Sequence, residues 1–114
     1  MLSTKYSLSG KKNYDRVQEM GKIYQSESFG ISVLKREDGN IPRFGFIVSN
    51  KISPDAVQRN RIKRGLKAAV KYSLTDMKIG VDVVFLAKPS SVRKPTDSLI
   101  IEAKEALKRV GLKK

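Results

Sequence analysis

The chain contains no cysteine and no histidine. Without cysteine, disulfides and thiolate metal sites are excluded. Without histidine, the chain lacks the commonest general base, the Ser-His and Cys-His nucleophile pairs and the usual zinc ligands. Only carboxylates could still bind a metal, and the acidic pairs at helical spacing, Asp15/Glu19 and Glu102/Glu105, are better explained as exposed ion-pairing partners of nearby bases. We therefore expect no catalytic residue and no metal site on the protein, with a protein-only metal nuclease as the enzyme alternative.

The chain also lacks tryptophan and long apolar runs. No segment approaches the ~20 apolar residues needed to span a membrane, and "MLSTKYSLSGKK" lacks the apolar core of a signal peptide. We expect a soluble cytoplasmic protein. The 114 residues, 39% apolar and 31% charged, fit one globular domain over residues 1–114, without repeat, linker or low-complexity segment.

Acidic residues are scarce: 11 Asp and Glu stand against 24 Lys and Arg, for a net charge of +13 and a pI near 10.2. Such an excess attracts polyanions, and nucleic acid is the leading partner. A membrane surface is the alternative, but amphipathic membrane binders usually place Trp, Phe or Leu opposite the basic face. We expect no membrane partner.

Turn residues and apolar alternation predict the first half of the fold. Ser9 as N-cap and Gly21 as a stop signal bound a helix over residues 10–20. A short edge strand is possible at "KIYQS". Alternating apolar residues predict strands in "ESFGISVLKR" and "RFGFIVSN", and the turn residues "EDGN" predict that the two strands form an antiparallel hairpin.

The second half continues with a helix over residues 54–73, with Ser53 as N-cap and Pro54 at the first helical position. The run "VDVVFLA" indicates a strand at the centre of the sheet or covered on both faces. After the loop "KPSSVRKP", a last amphipathic helix covers residues 96–110 and begins with Thr96 as a cap. The order predicts an α+β or α/β sandwich.

The stretch "QRNRIKRGLKAAV", residues 58–70, lies in the predicted second helix. With Lys71 it carries six bases and no acid, whereas residues 96–110 balance three acids with three bases. Like charges four residues apart cost ~0.2–0.5 kcal/mol each, so the chain tolerates a destabilising feature. At about 100° per residue, one side of the helix is apolar, formed by Ile62, Leu66, Ala69 and Val70. The other side is polar, formed by Asn60, Lys63, Arg64, Lys67 and Lys71. Arg59 and Arg61 lie at opposite flanks. We interpret the polar side as a phosphate-binding face, with an ordinary solvated face as the alternative.

Small and polar residues on the predicted strands favour RNA over duplex DNA, because a backbone or a base could approach them closely. These residues are Ser28, Gly30, Ser32, Gly45 and Ser49, with Asn50 and Lys51 at the strand exit. Tyr14 and Tyr24 could stack on bases. The alternative is that these positions form the solvent side of a sheet and that the tyrosines pack in or beside the core.

The segment "RFGFIVSNKISPDAVQRNRIKRGLK" resembles the signature of the bacterial ribonuclease P protein component. The Arg59-Asn60-Arg61 box is followed by bases that match Lys63, Arg64 and Lys67. The early helix with Tyr14, the strands "SFGISVL" and "VDVVFLAKP" and the last helix agree in order, so the resemblance covers residues 8–110.

The resemblance implies an α-β-β-β-α-β-α sandwich with a left-handed strand–helix–strand crossover, an exception to the usual right-handed rule. It also implies that an RNA subunit performs the Mg²⁺-dependent removal of the 5′ leader of precursor tRNA, so the chain needs no organic cofactor. By position, the residues expected to bind ribonuclease P RNA are Arg59, Asn60, Arg61, Lys63, Arg64 and Lys67. Those expected along the leader-binding cleft are Tyr14, Ser32, Ser49 and Lys51. The chain has Gln18 and Ser32 where the family often has aromatics. A general RNA-binding or ribosomal protein is the alternative function.

Overall fold

The computed structural model of the protein describes residues 4–36, 38–74 and 77–111. In these ranges, three α-helices and four strands follow one another as α1 (Lys11–Met20), β1 (Lys22–Gln25), β2 (Phe29–Lys35), β3 (Arg43–Ile47), α2 (Ala56–Ser73), β4 (Val81–Ala87) and α3 (Thr96–Arg109). Short 3-10 helices cover Thr4–Tyr6 and Pro89–Arg93. No helix in these ranges is both long and apolar enough to cross a bilayer.

The four strands form one sheet in the order β1-β2-β4-β3. β1 pairs with β2 and β2 with β4 in antiparallel fashion, whereas β3 and β4 run parallel and are joined through α2. β4, the run "VDVVFLA", lies between β2 and β3 and is buried at six of its seven positions. The predictions of a central apolar strand and of a short edge strand before β2 are confirmed.

The predicted hairpin between β2 and β3 is wrong, because β4 lies between them. Gly80, just before β4, is hydrogen-bonded to both ends of the segment that connects β2 and β3. The Arg36 amide donates to the Gly80 carbonyl, and the Gly80 amide donates to the Asn40 carbonyl, both at 2.8 Å. Turn residues reverse the chain but do not decide which strand becomes the neighbour. An apolar strand without a polar face is best buried on both sides, and that requirement places β4 in the middle.

The start of α2 differs from the prediction by two residues. Asp55, not Ser53, is the N-cap, and its carboxylate accepts a hydrogen bond from the Val57 amide at 2.9 Å. The Ser53 hydroxyl accepts from the Asp55 amide at 3.2 Å, so Ser53 stabilises the turn before the cap. Pro54 consequently precedes the helix.

The other two helices also begin differently from the prediction. The N-cap of α1 is Gly10, whose φ of 88° lies in the left-handed region that glycine favours. The N-cap of α3 is Pro95, and Thr96 is the first helical residue. In both cases the predicted cap residue is one position away from the actual cap, within the usual uncertainty of helix ends.

Helices cover the sheet on both faces. α2 and α3 pack on one face, where the predicted apolar side of α2, Ile62, Leu66, Ala69 and Val70, is at most 1% exposed. On the other face Val17 of α1 packs with Leu8 and Val84 in a smaller cluster. The predicted α+β sandwich is confirmed, while the handedness of the β3–α2–β4 crossover stays a prediction.

Candidate nucleic-acid interface

The outward side of α2 forms a groove, which we call the basic face. Asn60, Arg64 and Lys71 are exposed, whereas Lys63 and Lys67 are half-buried. The residues that line this groove are Asn60, Lys63, Arg64, Lys67, Ala68, Lys71 and Tyr72. Five of them are those that the helical wheel assigned to the polar side, and that part of the prediction is confirmed.

Among the residues that the structure describes, no neighbouring acid neutralises the charge of α2. Within the described part of the chain, no carboxylate lies within 4.0 Å of any of its lysines or arginines. Acids elsewhere do form such pairs, for example Asp15 with Lys11 at 3.7 Å on α1. With no described acid paired to its bases, the basic face projects a positive field, which attracts a polyanion.

Arg59 and Arg61 differ from the rest of the predicted RNA-binding set because both hold other parts of the chain. Nη1 of Arg59 donates to the Ser53 carbonyl at 2.8 Å and so braces the turn before α2. Both are half-buried, and neither is among the residues that line the groove. Their placement at the flanks of the helix is as predicted.

The guanidinium of Arg61 fastens the segment before α3 to α2. Nη2 donates to the Val92 carbonyl at 3.0 Å, and Nη1 donates to the Lys94 carbonyl at 3.0 Å and to the Thr96 hydroxyl at 3.3 Å. Nε donates to the Gln58 side-chain oxygen at 3.0 Å. Arg61 is thus a structural cross-link. No acidic partner signals this role in the sequence, because the four acceptors are two backbone carbonyls, a hydroxyl and a side-chain amide.

Lys67 connects the basic face to the sheet. Its ammonium lies 5.9 Å from the centroid of the Phe46 ring on β3, an aromatic that is only 9% exposed. A cation over a ring is attracted by the negative face of the π system. This contact places the middle of the basic face beside the β3 edge of the sheet.

A second surface, which we call the α1 face, is the side of the sheet on which α1 packs. Ser32, Val84 and Gly45 are aligned across β2, β4 and β3, so their side chains point to this one face. The ring of Tyr14 lies against Gly45, where an added Cβ would be 2.5 Å from the Tyr14 Cε1 atom. Glycine is required there because any side chain would displace the ring. The structure thus brings Tyr14 and Ser32, two predicted cleft residues, to the same face.

The other two predicted cleft residues follow the carboxyl end of β3. Ser49 and Lys51 are exposed, and the Ser49 carbonyl accepts from the Ile52 amide at 3.0 Å in the turn that leads to α2. They therefore lie between the strand that carries Gly45 and the helix that carries the basic face. Apolar groups are also exposed on the α1 face: Leu86 is 46% and Ile23 57% accessible.

Two candidates from the sequence do not lie on this surface. Ser28 is fully buried, and its amide and hydroxyl both donate to the Glu102 carboxylate at 2.8 Å. Tyr24 is aligned with Ile31 and packs against the α2 and α3 side of the sheet. The predicted availability of Ser28 to RNA is wrong, because the start of β2 is covered by α3. Tyr24 follows the alternative expectation, since it is half-buried beside the core.

The sequence predicts that Glu102 is an exposed ion-pairing partner of a nearby base. The pairing is found, with Lys94, but the predicted exposure is wrong, because Glu102 anchors α3 to the start of β2. Its side chain is 15% exposed. Besides Ser28, it accepts from the Ser26 hydroxyl at 2.6 Å, and the Lys94 ammonium lies 3.7 Å away. Burial opposes its ionisation, but the hydrogen bonds from Ser26 and Ser28 outweigh it and lower the pKa of Glu102.

Asp82 is the centre of an arginine cluster that sequence reasoning missed. Its side chain is fully buried on β4, and Nε and Nη2 of Arg43 each donate to it at 2.8 Å. Arg36 donates as well, and Nη2 of Arg16 on α1 lies 3.4 Å away. Burial disfavours the charge, yet the hydrogen bonds from Arg43 and Arg36 lower the pKa of Asp82 overall. An acid inside the apolar run "VDVVFLA" is the signal that could have revealed it, since a buried carboxylate needs a cationic partner.

This cluster also fixes α1 over the sheet. Arg16 lies on α1, two residues after Tyr14. Its hydrogen bond to Asp82 links α1 to β4. The Asp82 cluster and the Tyr14–Gly45 contact therefore orient α1 together. The position of the α1 face depends on both.

The described residues do not fit a magnesium site of the protein's own. No group of three Asp or Glu side chains among them lies close enough to hold a metal ion. The two best-buried carboxylates, Asp82 and Glu102, are already bound by arginines and by serines. Mg²⁺ prefers carboxylate and water ligands in octahedral geometry. The oxygens of these two carboxylates already accept hydrogen bonds and are not free to coordinate the ion.

Comparison with known proteins agrees with the resemblance found in the sequence. The chain is similar to the ribonuclease P protein component of Synechocystis sp., at 27% identity over 101 residues that cover 89% of this chain and 82% of that protein. It is also similar to the ribonuclease P protein component of Clostridium botulinum, at 34% identity over 102 residues that cover 89% and 90% of the two chains.

Among solved structures, the RNase P protein of Staphylococcus aureus superposes with a TM-score of 0.88 at 20% identity, covering 96% of this chain and 98% of that one. This similarity shows that the two share a fold. A sequence model of the Ribonuclease P family matches residues 2–111. Because that match spans nearly the whole length, the chain belongs to the Ribonuclease P family.

Proposed function

We propose that the chain is the RNA-binding subunit of a ribonuclease P and that the basic face of α2 binds the RNA subunit. The observation that carries this proposal is the uncompensated charge of α2: Lys63, Arg64, Lys67 and Lys71 stand on one groove without a described acid within 4.0 Å. Each lysine or arginine that neutralises a phosphate releases condensed counterions. That release supplies affinity without any need for sequence readout.

We further propose that the α1 face accommodates the single-stranded 5′ leader of precursor tRNA. Gly45 lets the Tyr14 ring lie against β3, and the half-buried Ser32 keeps the neighbouring part of the sheet low in relief, so that a nucleotide strand could approach the sheet beside the ring. The Tyr14 ring offers a stacking surface. Lys51, exposed at the exit of β3, is placed to pair with a phosphate. Leu86 and Ile23 add apolar contact area for bases.

In this proposal Mg²⁺ is bound by the RNA and not by the protein. There it would activate the attacking water and neutralise charge that develops on the scissile phosphate. The protein binds two polyanions at once and so lowers the repulsion between them. The complex should therefore need less free Mg²⁺ than the RNA alone. We also propose that the protein acts in the cytoplasm.

The test is leader removal at low Mg²⁺ by the cognate ribonuclease P RNA, with and without the protein. A Lys63→Ala/Lys67→Ala variant should lose stimulation, whereas Lys108→Ala/Arg109→Ala on the exposed last turn of α3 should retain it. Absence of stimulation by the unmodified chain would refute the proposal. Equal binding to many RNAs without stimulation would favour a general RNA-binding protein, and cleavage without any RNA subunit would favour a protein-only nuclease.

A further inference from the structure

The basic face ends at an exposed aromatic that the proposed function does not use. Tyr72, on the last turn of α2, is 66% exposed. It lines the same groove as Arg64 and Lys71. The chain's other tyrosines, Tyr6, Tyr14 and Tyr24, are half-buried and pack against hydrophobic clusters. Tyr72 alone among the tyrosines leaves most of its surface accessible, and it does so beside cations.

A lysine from the neighbouring helix contacts this ring. The ammonium of Lys104 on α3 lies 5.7 Å from the centroid of the Tyr72 ring. Such a cation–π contact favours one orientation of the ring, because the negative face of the π system attracts the ammonium. It also brings a further positive charge to this end of the groove. The ring is therefore both accessible and held.

We infer that Tyr72 is a stacking platform for one unpaired base of the bound RNA, with the adjoining phosphates on Arg64 and Lys71. This inference rests on the proposed function, because it assumes that the basic face binds RNA. An aromatic ring accepts any base, since every base has a π face. The groove therefore selects unstacked nucleotides rather than a sequence. The base comes either from the RNA subunit or from precursor tRNA, and the two sources can be separated.

The first experiment compares variants of Tyr72 for binding to the RNA subunit and, in the assembled complex, to precursor tRNA. Tyr72→Ala should weaken binding about 5- to 140-fold, which is the loss of one stacked base, while Tyr72→Phe should bind like the unmodified chain. Ile101→Ala is the matched control, because Ile101 is 58% exposed on α3 and lines a different groove. Weakened binding in the first assay alone assigns the base to the RNA subunit, and weakened binding in the second alone assigns it to precursor tRNA.

Salt dependence separates stacking from a charge effect. Tyr72→Ala should leave the slope of log K against log[salt] unchanged, because a ring releases no counterion. Lys71→Ala should lower the slope by about 0.7–0.9. A changed slope in Tyr72→Ala would overturn the stacking role even if affinity fell.

The absence of tryptophan from the chain allows a direct readout. Tyr72→Trp creates a single tryptophan, which can be excited apart from the remaining tyrosines and whose emission should be quenched by the RNA that supplies the base, whereas Ile101→Trp should respond to neither RNA. If the unmodified chain stimulates leader removal but Tyr72→Ala binds both RNAs normally, the inference fails and the proposed function stands. If the unmodified chain binds no RNA, both fail.

Discussion

Replacing Arg61 by alanine should destabilise the protein by about 2–3 kcal/mol. Its guanidinium makes four hydrogen bonds, to Val92, Lys94, Thr96 and Gln58, at 3.0–3.3 Å. Hydrogen bonds from a charged donor contribute about 1.5–3 kcal/mol each, but Arg61 is half-buried and water can replace part of them. The loss is large for a domain whose total stability is on the order of 5–15 kcal/mol. A decrease in melting temperature of roughly 10 °C should accompany it.

Urea denaturation of the free protein measures this change without RNA. Arg64→Ala is the matched control, because Arg64 is exposed on the same helix and its hydrogen bond, at 3.4 Å, goes to the Asn60 carbonyl of its own turn. That variant should change stability by less than about 0.5 kcal/mol and should instead weaken RNA binding. Equal stabilities of the two variants would refute the cross-linking role of Arg61.

Three further substitutions test the core, the α1 face and the buried acid. Gly65→Ala should stabilise α2 by about 0.5–1 kcal/mol in urea denaturation, because the added Cβ would lie at an ordinary 3.6 Å from Thr96 Cγ2; a loss of stability would contradict the open space seen there. Gly45→Ala should weaken leader binding several-fold while the affinity for the RNA subunit stays constant. The new Cβ would lie 2.5 Å from the Tyr14 Cε1 atom and so would displace the ring. Unchanged leader affinity would argue against leader binding on the α1 face. The pKa of Asp82 is lowered from its usual 3.8, so its contribution to stability is present above that pH and is lost as the pH falls through the folded value. In the Asp82→Asn variant the free energy of unfolding should therefore depend less on pH in this acid range. An unchanged pH dependence would contradict an ionised Asp82 in the folded protein.

The elements of the fold could be predicted from local signals, but their neighbours in the sheet could not. Apolar periodicity located α2 and its buried side, and the continuous run of β4 placed it centrally. The pairing of β2 with β4 instead of β3 is a non-local choice. It depends on which strand best fills the middle of the sheet once α2 and α3 cover one face and α1 covers the other, and turn chemistry after β2 does not contain that information.

The part of the candidate site that consists of a row of like-charged residues could be predicted from the sequence. The parts that depend on single contacts between distant residues could not. The row of bases from Lys63 to Lys71 marks the basic face by its lack of acids, which a sequence displays directly. The exclusion of Ser28 could not be predicted, because it follows from the docking of Glu102 from a helix 74 residues away. The Asp82 cluster likewise joins three arginines that are remote from it in sequence.

The six bases of α2 therefore do two kinds of work that composition alone cannot separate. Arg59 and Arg61, at the flanks, donate to backbone carbonyls within the protein, whereas the remaining four line the groove. A guanidinium can serve a flank because its planar donors reach several carbonyls at once, whereas an ammonium acts as a point charge. In the Arg-Asn-Arg box the two arginines thus hold α2 in place, and α2 in turn presents the basic face. Removal of a groove base should lower the salt slope of RNA binding, whereas removal of Arg61 should first lower the stability of the fold.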